Sequence, residues 1–278
     1  MNISEITKKY GFGFSKKFGQ NFIGDEGLLK AIVDDANVGE NDVVLEIGAG
    51  AGTLTREIAK RAKRVVSFEI DRDLEPILSD VLRDCDNVEI VYDDVTKWSD
   101  EEIADVVGGR FKIVANLPYY ITTPLLFKFL CGKFDLVSAT VMVQKEVAER
   151  ICAAPGTRDY GALTVSVGIR GKARLKRIVG REKFTPAPNV DSAIVRVDTE
   201  RKYDPDTLAA LDALIRGAFA MKRKTLVNNI RSAYGMSATK ARDVLAEAGL
   251  SASVRAEEVD EDGFMRLCAA IREGRTDK

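Results

Sequence analysis

The run Asp42-Val-Val-Leu-Glu-Ile-Gly48 leads directly into Ala49-Gly50-Ala51-Gly52-Thr53, and no other stretch limits the fold of this chain as narrowly. The β-branched and apolar residues predict a buried strand, and the pattern after Gly52 predicts a helix to residue 62. A glycine-rich turn between strand and helix lets the backbone approach a ligand closely. Dinucleotide sites and sulfonium-nucleoside sites share this construction. Two details favour the second. Thr53 stands where a dinucleotide fingerprint has its third glycine, and Glu46 lies in the strand just before Gly48. A carboxylate there repels a pyrophosphate but organises the loop for a cationic cofactor, directly or through water.

Downstream, strand and helix patterns alternate. Residues 65–69 read as the next strand, ending in an acid about twenty residues beyond the glycines, where a ribose diol is held. Glu69 is the preferred ligand; Asp71 competes, but it lies past the strand end and suits a helix cap. Residues 88–92 form a third strand, followed by Asp93-Asp94, of which Asp94 is better placed to accept from an adenine amino group. Residues 111–115 form a fourth, stopped by Pro118, so that Asn116-Leu117-Pro118-Tyr119 sits at a strand's carboxyl end. A helix over 122–130, a strand over 137–143 and a helix over 144–153 complete a doubly wound sheet. Residues 162–169 and 193–197 read as an antiparallel edge pair, with the stiff loop Phe184-Thr-Pro186-Ala-Pro188 between them. Beyond a linker at 201–205 the pattern is helical, over 208–219, 226–233, 238–248 and 263–272. Two domains follow: 1–200, including an N-terminal arm over 1–24, and an all-helical 201–278.

The tetrad at 116–119 suits methyl transfer to an exocyclic amine. An adenine N6 amine is a poor nucleophile because its lone pair is delocalised into the ring. The Asn116 side-chain oxygen and the Leu117 or Pro118 carbonyl can accept its two N–H bonds, which pulls the nitrogen toward sp³. Tyr119 is suited to stacking on the base, a contact worth roughly 1–3 kcal/mol in nucleic-acid binders. Phe184 is suited to covering the base's second face, or else to packing inside a loop that its two prolines stiffen. An ordinary β-turn with a surface tyrosine has the same four letters, so context decides.

Composition narrows the chemistry further. The 278 residues contain no histidine, which removes histidine-based triads, general bases and metal ligands. The four cysteines, Cys85, Cys131, Cys152 and Cys268, are far apart and predict buried free thiols rather than zinc or disulfides. No apolar run approaches the roughly 20 residues of a membrane helix, and no signal-peptide pattern opens the chain, so cytoplasm is expected. The net charge of −1 gives no global signature for nucleic acid. Its distribution is more informative, with local basic patches compatible with RNA binding or with a solvated face. Arg170, Lys172, Arg174, Lys176, Arg177, Arg181 and Lys183 face only Glu182, while Arg216, Lys222, Arg223, Lys224 and Arg231 form an acid-free group. Lys16-Lys17-Phe18 in the arm suits draping over a ligand or phosphate backbone.

Taken in order, Gln20-Asn21-Phe22, Glu46-x-Gly48-x-Gly50-x-Gly52, Glu69, Asp94, Asn116-Leu-Pro-Tyr119 and Phe184-x-Pro186-x-Pro188-x-Val190 carry a specific likeness. With Gln144–Arg150, Tyr160-Gly161 and the tail stretch 219–226, the chain resembles the KsgA family of rRNA adenine dimethyltransferases over nearly its full length. The resemblance implies a Rossmann-like class I methyltransferase sheet with helices on both faces, plus a small helical C-terminal domain that binds rRNA. It implies S-adenosylmethionine as cofactor, no metal and a monomer. The implied substrate is two adjacent adenosines in a hairpin loop near the 3′ end of small-subunit rRNA, within a pre-30S-type subunit. Carried over by position, Asn21, Ile23, Gly48, Gly50, Glu69, Asp94 and Asn116 bind the cofactor. Asn116, Leu117, Pro118, Tyr119 and Phe184 hold the base, and Lys16, Lys17, Lys222, Arg223 and Lys224 grip RNA. The departures are Ala49 for a common proline, Asp93 for glycine and Tyr120 for asparagine, the last at the mouth of the pocket. Erm-type enzymes of the large subunit resemble the tail less, and a role as an assembly factor is compatible with the same residues.

Overall fold

The computed structural model describes residues 3–15, 18–200 and 203–276. Nine strands occur among them: β1 (Phe22–Ile23), β2 (Val43–Ile47), β3 (Arg64–Phe68), β4 (Val88–Val91), β5 (Phe111–Asn116), β6 (Leu136–Gln144), β7 (Gly171–Val179), β8 (Phe184–Thr185) and β9 (Ser192–Thr199). Seven form one sheet in the order β4-β3-β2-β5-β6-β9-β7, and β1 and β8 pair separately. Strands β2, β3, β4, β5 and β6 run parallel, with Val44 opposite Val65 on one side and Lys112 on the other. β9 returns antiparallel against β6. Parallel strands covered on both faces read as continuous apolar runs, as in the wholly buried Val44, Leu45, Val65, Val66, Val114 and Ala115. The order reverses at β2, which has β3 on one side and β5 on the other. Ligands in open α/β sheets bind at such a switch point, outside the carboxyl ends of the strands.

The local signals act where expected at several ends. Asp25 caps the helix Glu26–Asp35 by accepting from the Leu28 N–H at 2.9 Å. Gly52, in a left-handed conformation, opens the helix Thr53–Ala59. Ser99 and Glu102 form a reciprocal capping box on the helix Asp100–Val107.

The chain divides into two compact units, Met1–Ala148 with Ala173–Thr199, and Glu149–Lys172 with Glu200–Lys278. The expected single cut at residue 200 is therefore too simple, because 149–172 groups with the helical tail. The expected strand over 162–169 is instead the helix Ala162–Gly168, and the edge strand is the basic β7. Thr164, Val165 and Val167 favour strands on local propensity. Tertiary packing decides otherwise, since Val165 and Ile169 are buried with Leu211, Leu214, Ile230, Val244 and Phe264 in an all-helical core. Within this unit Tyr160 donates its hydroxyl to the Val259 carbonyl at 2.7 Å, and Arg170 pairs with Asp212 at 2.7 Å.

All four cysteines are free thiols, but only Cys268 is buried; Cys131 is exposed, contrary to expectation. No helix among the described residues is long and apolar enough to cross a membrane.

Candidate active site

An open cavity lies over the carboxyl ends of β2 and β5. Its lining brings together Asn21, Ile23, Gly48, Gly50, Glu69, Asp94, Asn116, Leu117, Pro118 and Tyr119, which are widely separated in the sequence.

One wall is made mostly of backbone. Gly48 and Gly50 have positive φ of 83° and 56°, which lets the turn after β2 fold tightly. A Cβ on Gly50 would stand 3.1 Å from the Phe22 ring, so a side chain there would push against the arm. The Gly50 N–H donates to Glu69 Oε2 and the Asp71 N–H to Glu69 Oε1, both at 2.8 Å. Glu69 is thus held by two backbone donors with lone pairs to spare for a diol. Burial raises its pKa, and the two N–H bonds oppose that rise. Asp71, the competing candidate, does not line the cavity. Its oxygens accept from Gln20 Nε2 at 2.6 Å and from the Asp73 N–H that it caps.

Behind this wall, Glu46 is wholly buried and does not reach the cavity. Its Oε2 accepts from Thr55 Oγ1 at 2.6 Å and Ser67 Oγ at 2.7 Å, which joins β2 to the following helix and to β3. Its Oε1 has no partner among the described residues. Burial drives its pKa up to about 8; the two hydroxyl bonds oppose this and neighbouring Glu69 adds to it. Glu46 therefore braces the loop from behind, as a neutral group near pH 7, rather than touching a cofactor.

Asp93 and Asp94 both line the cavity, but their oxygens are engaged differently. Asp94 Oδ1 accepts from the Thr96 N–H and hydroxyl, at 3.0 and 2.6 Å, leaving Oδ2 with a distant Lys97 at 4.0 Å. Asp93 is held by the Asp94 N–H and Trp98 Nε1.

The opposite wall is made of side chains and strand-end carbonyls. Asn116 donates Nδ2 to the Asn21 carbonyl at 2.9 Å, so its Oδ1 is the free acceptor. The Pro118 carbonyl already accepts from the Ile121 N–H at 3.2 Å and Thr122 Oγ1 at 3.1 Å. No described residue donates to the Leu117 carbonyl, so of the two carbonyls considered from sequence this one is available. Leu117 N–H is itself tied to the Met142 carbonyl of β6 at 3.2 Å. Tyr119 is half-buried, its hydroxyl 2.5 Å from Ser192 Oγ.

Phe184 is placed differently from the expectation. It is 4% exposed and packs with Ile23, Leu29, Val33 and Ile194, outside the cavity lining. The cause is strand pairing: β8 lies against β1 with Phe184 opposite Ile23, which turns the ring into the core. Phe18 and Gly19 of the arm and Tyr120, expected at the mouth of the pocket, line the cavity as well, and Tyr120 is 57% exposed. Lys16 and Lys17 lie outside the described residues.

The basic run at 170–183 is largely spent on neighbouring acids. Arg174 pairs with Asp198, Arg177 with Asp35, Lys183 with Asp25 and Lys172 with Glu200. Lys222, Arg223 and Lys224 are exposed in the helical unit.

A sheet that reverses at β2, a glycine turn beside a pinned carboxylate, and an acceptor pair at the end of β5 define a class I, S-adenosylmethionine-dependent methyltransferase. A family model described as Ribosomal RNA adenine dimethylase matches residues 11–271. The chain belongs to that family, the KsgA-type rRNA adenine dimethyltransferases. A Clostridioides difficile (strain 630) protein named Ribosomal RNA small subunit methyltransferase A is 41% identical over 271 residues, covering 96% of this chain and 94% of its own length. Its namesake in Geobacillus kaustophilus (strain HTA426) is 42% identical over 278 residues, with the same coverage of 96% and 94%. Among solved structures, a dimethyladenosine transferase from Plasmodium falciparum is similar at TM-score 0.77 and 28% identity, covering 91% of this chain and 98% of its own. The 23S rRNA methyltransferase ErmE is similar at TM-score 0.71 and 27% identity, covering 91% and 100%.

Proposed function

We propose that this enzyme places two methyl groups on N6 of each of two adjacent adenosines in a hairpin loop near the 3′ end of small-subunit rRNA. In this reading it acts as a monomer in the cytoplasm, late in assembly, on a pre-30S-type subunit. The observation that carries the reading is the fixed Asn116 amide. Its donation to the Asn21 carbonyl leaves Oδ1 free near the Leu117 carbonyl, at the end of the strand next to the glycine turn. The preference for the small subunit rests on relatives 41–42% identical that carry that name, against 27% for ErmE.

When bound, the cofactor supplies an electrophilic methyl group on a sulfonium and leaves as a neutral thioether. The chain holds the two reactants. Glu69 would take the ribose diol, Asp94 Oδ2 the adenine amine, and Asn21, Ile23, Gly48 and Gly50 would shape the rest of the cofactor's seat. Asn116, expected at both ligands, is assigned to the base alone, because Nδ2 is spent on the Asn21 carbonyl and Oδ1 is its open acceptor. Asn116 Oδ1 and the Leu117 carbonyl accept from the target amine and turn its lone pair toward the donor, with Tyr119 stacked on the base and Pro118 shaping the turn. The amine's proton leaves to water, so no histidine or metal is required. A monomethylated amine keeps one N–H, which either acceptor can take, so the second transfer needs no new group. Positioning of this kind is worth roughly 7–11 kcal/mol in well-oriented intramolecular reactions. The adenosine must first be unstacked, which costs a few kcal/mol and least in a loop.

Lys222, Arg223 and Lys224, on the helical unit, are assigned to rRNA phosphates, together with Lys16 and Lys17 of the arm. Each cation that neutralises a phosphate of single-stranded RNA steepens the fall of log K with log salt by about 0.7. Replacing Lys222, Arg223 and Lys224 by alanine is therefore expected to flatten that slope by up to about 2. The functional test is transfer of labelled methyl to small subunits from a strain lacking the activity, with large subunits in parallel. Recovery of N6,N6-dimethyladenosine from small subunits supports the reading. Label on large subunits alone contradicts it, and tight binding without transfer leaves only an assembly role.

A further inference from the structure

Tyr119 is tethered. Its hydroxyl lies 2.5 Å from Ser192 Oγ, and Ser192 is 0% exposed at the start of β9. Ser192 sits opposite Gln144 at the end of β6, the strand whose Met142 carbonyl takes the Leu117 N–H. The tetrad is thus fastened to the β6–β9 pair at two points, one through backbone and one through the tyrosine hydroxyl. A half-buried tyrosine on a strand-end turn has staggered alternatives about its Cα–Cβ bond. A bond from the ring's far end to a buried, strand-borne hydroxyl selects one of them and fixes where the ring lies along the cavity wall. Burial raises the pKa of Tyr119, so the phenol keeps its proton near neutrality and remains able to donate.

We propose that Ser192 is a positioning residue for the methyl transfer, holding the Tyr119 ring in the one orientation that stacks on the target adenine. The proposal rests on the assignment of Tyr119 to that base. It separates two properties that a tyrosine combines: the ring supplies stacking, and the hydroxyl fixes the ring. Groups that act as one unit lose their effect non-additively.

The test compares Ser192→Ala, Tyr119→Phe, the double variant and Tyr119→Ala, all as full-length enzyme on small subunits lacking the methyl groups. Steady-state rates at saturating S-adenosylmethionine are read with cofactor affinity and melting temperature. Ser192→Ala and Tyr119→Phe are each expected to lower kcat/KM for the subunit about tenfold, mainly through kcat. The double variant should fall no further, and cofactor affinity should stay within about twofold. A merely structural bond would lower the melting temperature and leave the rates of the folded enzyme alone. Wild-type kcat/KM in Ser192→Ala, or fully additive losses in the double variant, would overturn the tether. If Tyr119→Ala also transfers at the wild-type rate, the assignment of Tyr119 itself falls.

Discussion

The two walls of the cavity are built from different materials. The wall assigned to the cofactor is mostly backbone: glycine turns, a carboxylate gripped by two main-chain N–H groups, and Glu46 bracing it from behind. The wall assigned to the base joins the Leu117 carbonyl to two side chains, each fixed by a single bond, Asn116 to the Asn21 carbonyl and Tyr119 to Ser192. Main-chain donors cost no side-chain entropy to hold in place, whereas each ordered side chain does. A rigid wall suits a ligand that is the same in every turnover. A wall of singly fastened side chains suits a base that returns bearing one methyl group. The contrast predicts that substitutions on the two walls act on different kinetic constants.

The largest effect is expected from Asn116→Ala. Removing one preorganised hydrogen-bonding group at a reacting centre typically costs about 10²–10³ in kcat. Single-turnover transfer should fall by that order while the melting temperature changes little. Next comes Glu69→Gln, which exchanges charge-assisted bonds to a diol for neutral ones. A charged hydrogen bond is worth about 1.5–3 kcal/mol, so cofactor affinity should weaken by about ten- to a hundredfold. The transfer rate at saturating cofactor should remain close to wild type. Tyr119→Ala should lower kcat/KM for the subunit by at least about tenfold, from a stacking contact of roughly 1–3 kcal/mol. Measured cofactor binding should be unaffected.

A separate effect, on stability rather than on turnover, is one of pH. Burial raises Glu46 from 4.5 to about 8 in the folded protein. Its contribution is fully present below pH 4.5 and is lost as pH rises through about 8, since ionising the buried group opposes folding. Thermal melts from pH 5 to about 9 should show the wild type losing stability relative to Glu46→Gln as pH rises. A constant difference across that range would mean that Glu46 is ionised throughout.

Much of both walls was legible in sequence, for unequal reasons. Glycines at forced φ, an acid at a strand end and a proline after a strand are local features, and they marked Gly48, Glu69 and Asn116. What failed was long-range. Nothing near Asn116 reveals that a carbonyl 95 residues away orients its amide, nor does any motif pair Tyr119 with Ser192. Phe184 looked like a second stacking ring because its prolines suggest an exposed loop; pairing with β1 buries it. The basic run at 170–183 looked like a phosphate grip because Asp25, Asp35 and Asp198, which neutralise much of it, lie elsewhere in the chain. The stretch 162–168 was misread because β-branched residues promise a strand, while a helical core claims them.

The most direct test titrates S-adenosylmethionine calorimetrically into Asn116→Ala and Glu69→Gln, and measures single-turnover transfer by both at saturating cofactor. Walls that act separately predict a crossed result: Asn116→Ala binds the cofactor to within a few fold of wild type but scarcely transfers, and Glu69→Gln binds weakly but transfers well once loaded. If both variants lose binding and transfer together, the cavity works as one coupled unit and the division into two walls is wrong.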